Sequence, residues 1–190
     1  MTIKGKHFSI LQLLCLFLYY AIAIYLPKTG NFFNIGGSTR RFLCKRIFRH
    51  CGKFVNIERG ANFGRGTDVE VGDYSGIGIN AVIPGDTIIG KYVMMAPNCH
   101  ILSENHRFDK TDTPMMFQGN CVKLQTVIED DVWIGRNVCM TPGRHISQGT
   151  IVGACCVLTK DFPAYSIVGG NPSRLIRSRQ ESQTSNPQQS

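Results

Sequence analysis

Large apolar side chains recur at every sixth position from Ile57 onward. Ile57 and Phe63 open the series, and a two-residue slip from Val69 to Val71 resets its phase. Val71, Ile77, Ile83, Ile89, Met95 and Ile101 follow at strict spacing, and Ile128, Ile134, Met140, Ile146, Val152 and Leu158 repeat it after a gap. Four residues after most starts stands a small or short side chain: Ala61, Thr67, Ser75, Ala81, Thr87, Val93, Cys99, Val132, Val138, Thr150 or Cys156. Glycine often follows the start, as at Gly64, Gly72, Gly78, Gly90, Gly135 and Gly153. A period of six fits neither a helix nor ordinary strand alternation, but it fits a solenoid of very short strands. With three hexads to a triangular coil, the large residues stack inside the faces and the small ones fill the tighter inward positions near the corners. The glycines are expected to supply the turn conformations. Arg144 departs from this pattern by occupying a small-residue slot. A lone buried guanidinium is expensive, so either the coil bulges there or Arg144 leaves the core toward a partner.

Upstream, the periodicity changes. Phe8 to Leu26 holds only Ser9 and Gln12 as clearly polar residues, behind Lys4, Lys6 and His7. A membrane span, a secretory signal segment, and an apolar helix packed on the protein or lying in a membrane interface all fit this stretch. The third reading is favoured because the next segment behaves similarly. From Thr39 to Cys51, Phe42, Leu43, Ile47 and Phe48 recur at helical spacing, leaving Arg41, Lys45, Arg46 and Arg49 for the opposite face. Gly52 is the expected stop. Basic amphipathic helices are drawn to anionic lipid, and docking of this helix on the main domain is the alternative. The expected domains are therefore helices over 1–54, a solenoid over 55–177 with a loop at 102–127, and a disordered polar tail over 178–190.

Charge sharpens this division. The formal net charge is +8, from 21 Lys and Arg against 13 Asp and Glu. Lys4, Lys6, Lys28, Arg40, Arg41, Lys45, Arg46, Arg49 and Lys53 precede the first acid, Glu58, so the body beyond is close to neutral. A near-neutral body argues against nucleic-acid binding, which needs a basic face on the folded domain. The eight cysteines include the adjacent Cys155 and Cys156, and neither CxxC nor HExxH occurs. They are expected to be reduced, mostly buried residues of a protein in a reducing compartment, without a metal site.

The rows VGDYSGIGINAVI (Val71–Ile83), IIGKYVMMAPNCHI (Ile88–Ile101) and VWIGRNVCMTPGRHI (Val132–Ile146), with the closing stretch SIVGGNPSRLIR (Ser166–Arg177), resemble the hexapeptide-repeat acyltransferases. The likeness covers about residues 55–177 and is greatest to sugar O-acetyltransferases of capsule and exopolysaccharide pathways, the colanic-acid type included. It implies a left-handed parallel β-helix, a homotrimer with active sites between subunits, and acetyl transfer from acetyl-CoA to a hydroxyl or amine. Surface polysaccharide biosynthesis is the implied setting. The expected location is cytoplasmic, and the apolar and basic residues 1–53, outside the resemblance, are candidates for peripheral contact at the inner membrane face or for docking on the trimer.

The hexads stop between Ile101 and Ile128, and such an interruption in a strict solenoid is expected to be functional or disordered. His106 stands near its entry. Imidazole titrates near neutral pH and suits general-base work, and the resemblance places a catalytic His in such a loop. Asn105 and Asp109 are candidates to orient the imidazole or the acceptor, with plain loop solvation the alternative. The resemblance also implies that acetyl-CoA is held by Arg136, Ala154, Thr159, Lys160, Arg174 and Arg177. Cations suit its phosphates, and exposed coil backbone suits its pantetheine amides. Trp133 is expected to face outward, stacking on adenine or packing beside the loop. Other acceptors, an antibiotic or serine, remain open within this class. A γ-class carbonic anhydrase and a non-catalytic solenoid scaffold are the readings outside it. Five histidines (His7, His50, His100, His106, His145) lack the paired spacing of the zinc enzyme.

Overall fold

The computed structural model describes residues 2–3, 6–7, 9–30 and 34–181. Two-residue strands form at the hexad starts and pair in parallel with the strand one coil further on. On the first face Cys51, Val71, Ile89, Ile128 and Ile146 stand in register. The second face pairs Ile57 with Ile77, then aligns Met95, Ile134, Val152 and Val168. The third aligns Ile101, Met140 and Leu158 below bridges that link Asn62, Val82 and His100. The result is a parallel β-helix with helices at its N-terminal end. Every hexad start from Ile57 to Leu158 is buried, Met95 being the most open at 8%. Continuous stacks of Ile, Val and Met thus form the core and set the register from coil to coil.

Small residues fill the second inward slot as expected, except Thr67, which is half-exposed. There the two-residue slip turns Val69 inward instead. The glycine expectation needs correction. The left-handed corner positions are mostly occupied by other residues: Phe54, Tyr74, Tyr92 and Asp131 at the first corner, and Asn80, Asn98, Asn137 and Cys155 at the second. Side-chain ladders support these corners. The rings of Phe54, Tyr74 and Tyr92 stack 5.0 and 5.6 Å apart, and Asn80, Asn98 and Asn137 pass amide hydrogen bonds of 3.3 and 3.1 Å along the second corner. Most of the expected turn glycines serve close approach between coils. A Cβ on Gly72 would lie 2.6 Å from the Gly90 carbonyl, and one on Gly135 would lie 2.5 Å from the Ala154 nitrogen.

Helix α1 spans Ile10–Ala21, opened by a capping box between Ser9 and Gln12. Among the described residues no helix is long and apolar enough to cross a membrane. The α1 face bearing Cys15 and Tyr19 is buried on the first coil. The Tyr19 hydroxyl donates to the Ala61 carbonyl at 2.8 Å, and the Tyr20 hydroxyl donates to Gly64 at 2.8 Å. Helix α2 spans Ile35–Ile47, starting and ending four residues before the expected 39–51. Phe48 turns extended and meets Phe63 edge-on at 4.7 Å, and His50–Cys51 already pairs as the first strand of the solenoid, upstream of the expected boundary at 55. Leu43 and Ile47 are buried as expected, but Phe42 is exposed, with the Arg46 guanidinium 3.7 Å above its ring.

Arg40, read only as part of the basic run, is fully buried between the helices and the first coil. Its guanidinium donates to the carbonyls of Ile57 (2.6 Å), Leu26 (3.0 Å), Pro27 (3.1 Å) and Ala23 (3.2 Å).

At the other end, Arg174–Ser178 folds back antiparallel on Ser166–Gly169. Ser178 and Arg179, assigned to the tail, are ordered: the Arg179 guanidinium reaches Asp131 at 3.1 Å and the Gly149 carbonyl at 2.6 Å. The rest of that tail from residue 182 lies outside the described residues. All eight cysteines are free. Cys15, Cys44, Cys99 and Cys156 are buried, and burial pushes the Cys99 thiol up to about 11. Cys121 and Cys155, contrary to the expectation of burial, are exposed.

Candidate active site

The interrupting segment leaves the β-helix after the third face and returns at the third corner. Its two arms are tied together beside the solenoid. The Cys121 amide donates to the Asn105 carbonyl at 2.7 Å, the Arg107 amide donates to Gly119 at 2.9 Å, and His106 forms the bridge opposite Asn120. Further out, a short 3-10 turn at Met115–Phe117 is held by the Gln118 amide, which donates to the carbonyls of Lys110 (2.8 Å) and Thr113 (2.6 Å). The loop is therefore a shaped structure. Backbone bonds on either side of His106 fix its position, and its imidazole is exposed on the rim.

Of the two candidate orienting residues, Asn105 is exposed next to His106, with its backbone carbonyl used in the loop. Asp109 is engaged by the Arg107 guanidinium at 3.0 Å.

Asp86, one coil before the loop returns, escaped the sequence reading. Lys123 reaches its Oδ2 at 2.9 Å, and the Gln125 amide donates to its carbonyl at 2.8 Å, pinning the returning arm. Its other oxygen, Oδ1, is buried without a hydrogen-bond partner, as are Thr126 Oγ1 and Arg144 Nε. Thr126 and Arg144 occupy equivalent slots in successive coils, since the Val127 amide donates to the Arg144 carbonyl. Three buried polar atoms at the root of the loop thus have no hydrogen-bond partner within the described residues. The one sequence signal was the Pro84-Gly85-Asp86 corner, which carries a charge beside the place where the hexads later break.

Arg144 itself neither enters the core nor projects freely. Its guanidinium caps the third corner, donating to the carbonyls of Thr159 (3.0 Å) and Pro142 (3.3 Å) and lying 3.4 Å from Asp161.

The residues implied for acetyl-CoA divide between two corners. Arg136 and Ala154 lie one above the other at the second corner, where the Cys155 amide donates to the Arg136 carbonyl at 2.8 Å. Arg174 pairs with Gly169 beside them. Thr159 and Lys160 stand at the far end of the third face, but Ser173 ties Thr159 back to this group, its hydroxyl accepting from the Thr159 amide at 3.1 Å. Arg177 lies opposite Ile167 on the second face, and Trp133 is half-exposed on the same face. All six are exposed. His106 is not among them: the third face separates its loop from the Arg136–Ala154 corner within one chain. Among the described residues no group of three or more His, Cys, Asp and Glu side chains converges as a metal site would require.

No family model matches the chain. Among curated proteins it is 28% identical to the galactoside O-acetyltransferase of Escherichia coli over 140 residues, 73% of this chain and 68% of that protein. It is 30% identical to the galactoside O-acetyltransferase of Lactococcus lactis over 139 residues, 71% of this chain and 65% of that one. The match thus spans about two thirds of the length of these relatives. Among solved structures, a hexapeptide-repeat-containing acetyltransferase of Vibrio cholerae superposes with a TM-score of 0.72 at 28% identity, covering 88% of this chain and 90% of that one. The same protein has been solved in complex with acetyl-CoA.

Proposed function

We propose that the chain is a hexapeptide-repeat acetyltransferase that moves the acetyl group of acetyl-CoA to a sugar hydroxyl, with His106 as general base. The observation that carries this reading is the placement of an exposed imidazole on a loop held by backbone bonds on both sides of it. A base must be fixed where a substrate can reach it. In the direct reaction the imidazole takes the acceptor proton as the hydroxyl oxygen attacks the thioester carbonyl. The carbon–sulfur bond then breaks, and the CoA thiolate leaves with the proton that the imidazolium returns. No cysteine is needed as nucleophile. Asn105 flanks the acceptor, Asp86 supplies a further acceptor-side carboxylate at the root of the loop, and Asp109 acts through Arg107 on loop shape.

Arg136, Ala154, Thr159, Lys160, Arg174 and Arg177 form the donor side. Because the third face separates Arg136, Ala154 and Arg174 from the His106 loop, each site takes its loop from one chain and its Arg136 corner from a neighbour. A closed ring of three copies meets that requirement, since a head-to-tail interface repeats until it closes. The galactoside O-acetyltransferase relatives favour a sugar acceptor, and we place the reaction in surface-polysaccharide synthesis at the cytoplasmic face of a membrane, with residues 1–53 making peripheral contact.

Mass spectrometry of acceptor panels incubated with acetyl-CoA tests the function. Nucleotide sugars, lipid-linked sugars and simple glycosides are expected to gain an alkali-labile acetyl ester. Acetylation confined to serine or chloramphenicol would overturn the sugar assignment.

A further inference from the structure

One side of α1 is left uncovered. Ile10, Leu14, Phe17 and Ala21 follow one another at helical spacing directly opposite the buried line of Cys15 and Tyr19, and all four are exposed. Ile10 is 87% exposed and Phe17 68%, with Leu11 and Ile22 exposed beside them. A contiguous apolar strip of this kind is unusual on a protein surface and marks an interaction site. The strip is held outward by design of the other side. Tyr19 and Tyr20 bond the first coil through their hydroxyls, and the Tyr19 ring packs 4.6 Å from Phe63.

The adjoining surface decides what the strip meets. On α2, Phe42, Lys45 and Arg46 are exposed on one line, and Arg46 lies over the Phe42 ring. Lys28, between the helices, is also exposed. No acidic residue precedes Glu58 in the chain. We infer that the exposed faces of α1 and α2 together form a docking surface for an anionic lipid bilayer, with α1 lying along the interface. Two arguments select this occupant. A second copy seated on the same strip would bring basic residues against basic residues with no acid to pair them, whereas anionic headgroups complement them. And α1, at 12 residues, reaches about 18 Å at 1.5 Å per residue, well short of a hydrocarbon core of about 30 Å, so it lies on the membrane surface. The inference deepens the peripheral-contact reading above and is independent of the chemistry assigned to His106.

Co-sedimentation of the full chain with phosphatidylcholine vesicles, with and without phosphatidylglycerol, tests it. The protein is expected to bind the anionic vesicles, to bind neutral ones weakly, and to release as salt is raised. The double variant Leu14→Glu/Phe17→Glu is expected to lose binding at least tenfold at an unchanged thermal midpoint. Lys45→Glu/Arg46→Glu is expected to lose about tenfold or more on anionic vesicles. Wild-type protein that ignores anionic vesicles overturns the proposal, as does a Leu14→Glu/Phe17→Glu variant that sediments like wild type. A fall in oligomeric mass for that variant would instead assign the strip to contact between copies. Acetyl transfer to a soluble acceptor, measured on the same samples, separates failure of this surface from failure of the transferase reading.

Discussion

Replacing His106 with alanine is expected to lower kcat for acetyl transfer by about a hundredfold to ten-thousandfold, the usual contribution of a positioned general base. CoA affinity should be little changed, because the imidazole is assigned to the acceptor proton and not to the CoA phosphates or amides. The imidazole is exposed, and the loop around it is held by the amides of Arg107 and Cys121 rather than by the histidine side chain, so truncation leaves the loop in place. A base works only when neutral. The wild-type rate should therefore fall on acidification, and the variant should lack that limb. His145→Ala is the control: His145 Nε2 sits 2.7 Å from Glu129 Oε1 on the first face, outside the loop. Comparable loss in both variants, or full activity in His106→Ala, would remove His106 from the chemistry.

Arg40→Leu is expected to give the largest loss of stability. The buried guanidinium donates to four carbonyls at the junction of α1, α2 and the first coil, those of Ile57 and Ala23 belonging to buried residues. A buried carbonyl left unpaired costs about 1–3 kcal/mol, although relaxation and partial hydration keep such costs from adding in full. A net loss of about 3 kcal/mol follows, which for a chain of this size lowers the thermal midpoint by roughly 6–12 °C. Arg40→Lys should fall between, since an ammonium cannot span carbonyls on three sides. The same junction explains why a glycine stands at 36: a Cβ there would run into the Pro27 carbonyl that Arg40 also holds. A Leu variant as stable as wild type would show that the helices dock by apolar contact alone.

The faces of the solenoid were legible because a hexad makes one demand per strand, an inward apolar residue, and Ile57 through Leu158 meet it in order. The corners were not. Composition suggests that glycine turns them, but Asn, Tyr and Asp adopt the left-handed conformation when ladders of like side chains support it, as Asn80, Asn98 and Asn137 do. The glycines at 72 and 135 answer to inter-coil spacing, which no single hexad reveals. Helix α2 was misplaced because Phe42, Phe48 and the basic residues fit two registers. Only the contact of Phe48 with Phe63 selects the observed one. The break in the repeat marks His106 as a candidate, whereas Asp86 lies inside the repeat and meets Lys123 and Gln125 only once the loop folds back on it. Arg144 stands out as an exception, but one of its carbonyl partners, Thr159, comes from the next coil.

The central claim is that each active site joins the His106 loop of one chain to the Arg136 corner of another. Mixing two inactive variants tests it most directly: His106→Ala, and a donor-corner variant carrying Arg136→Glu with Arg174→Glu. After subunit exchange between equal amounts in a closed ring, about a quarter of the sites should pair an intact loop with an intact corner, restoring about a quarter of the wild-type rate. A mixture as inactive as its components, with exchange verified by mass, would place loop and corner in the same chain and contradict the account.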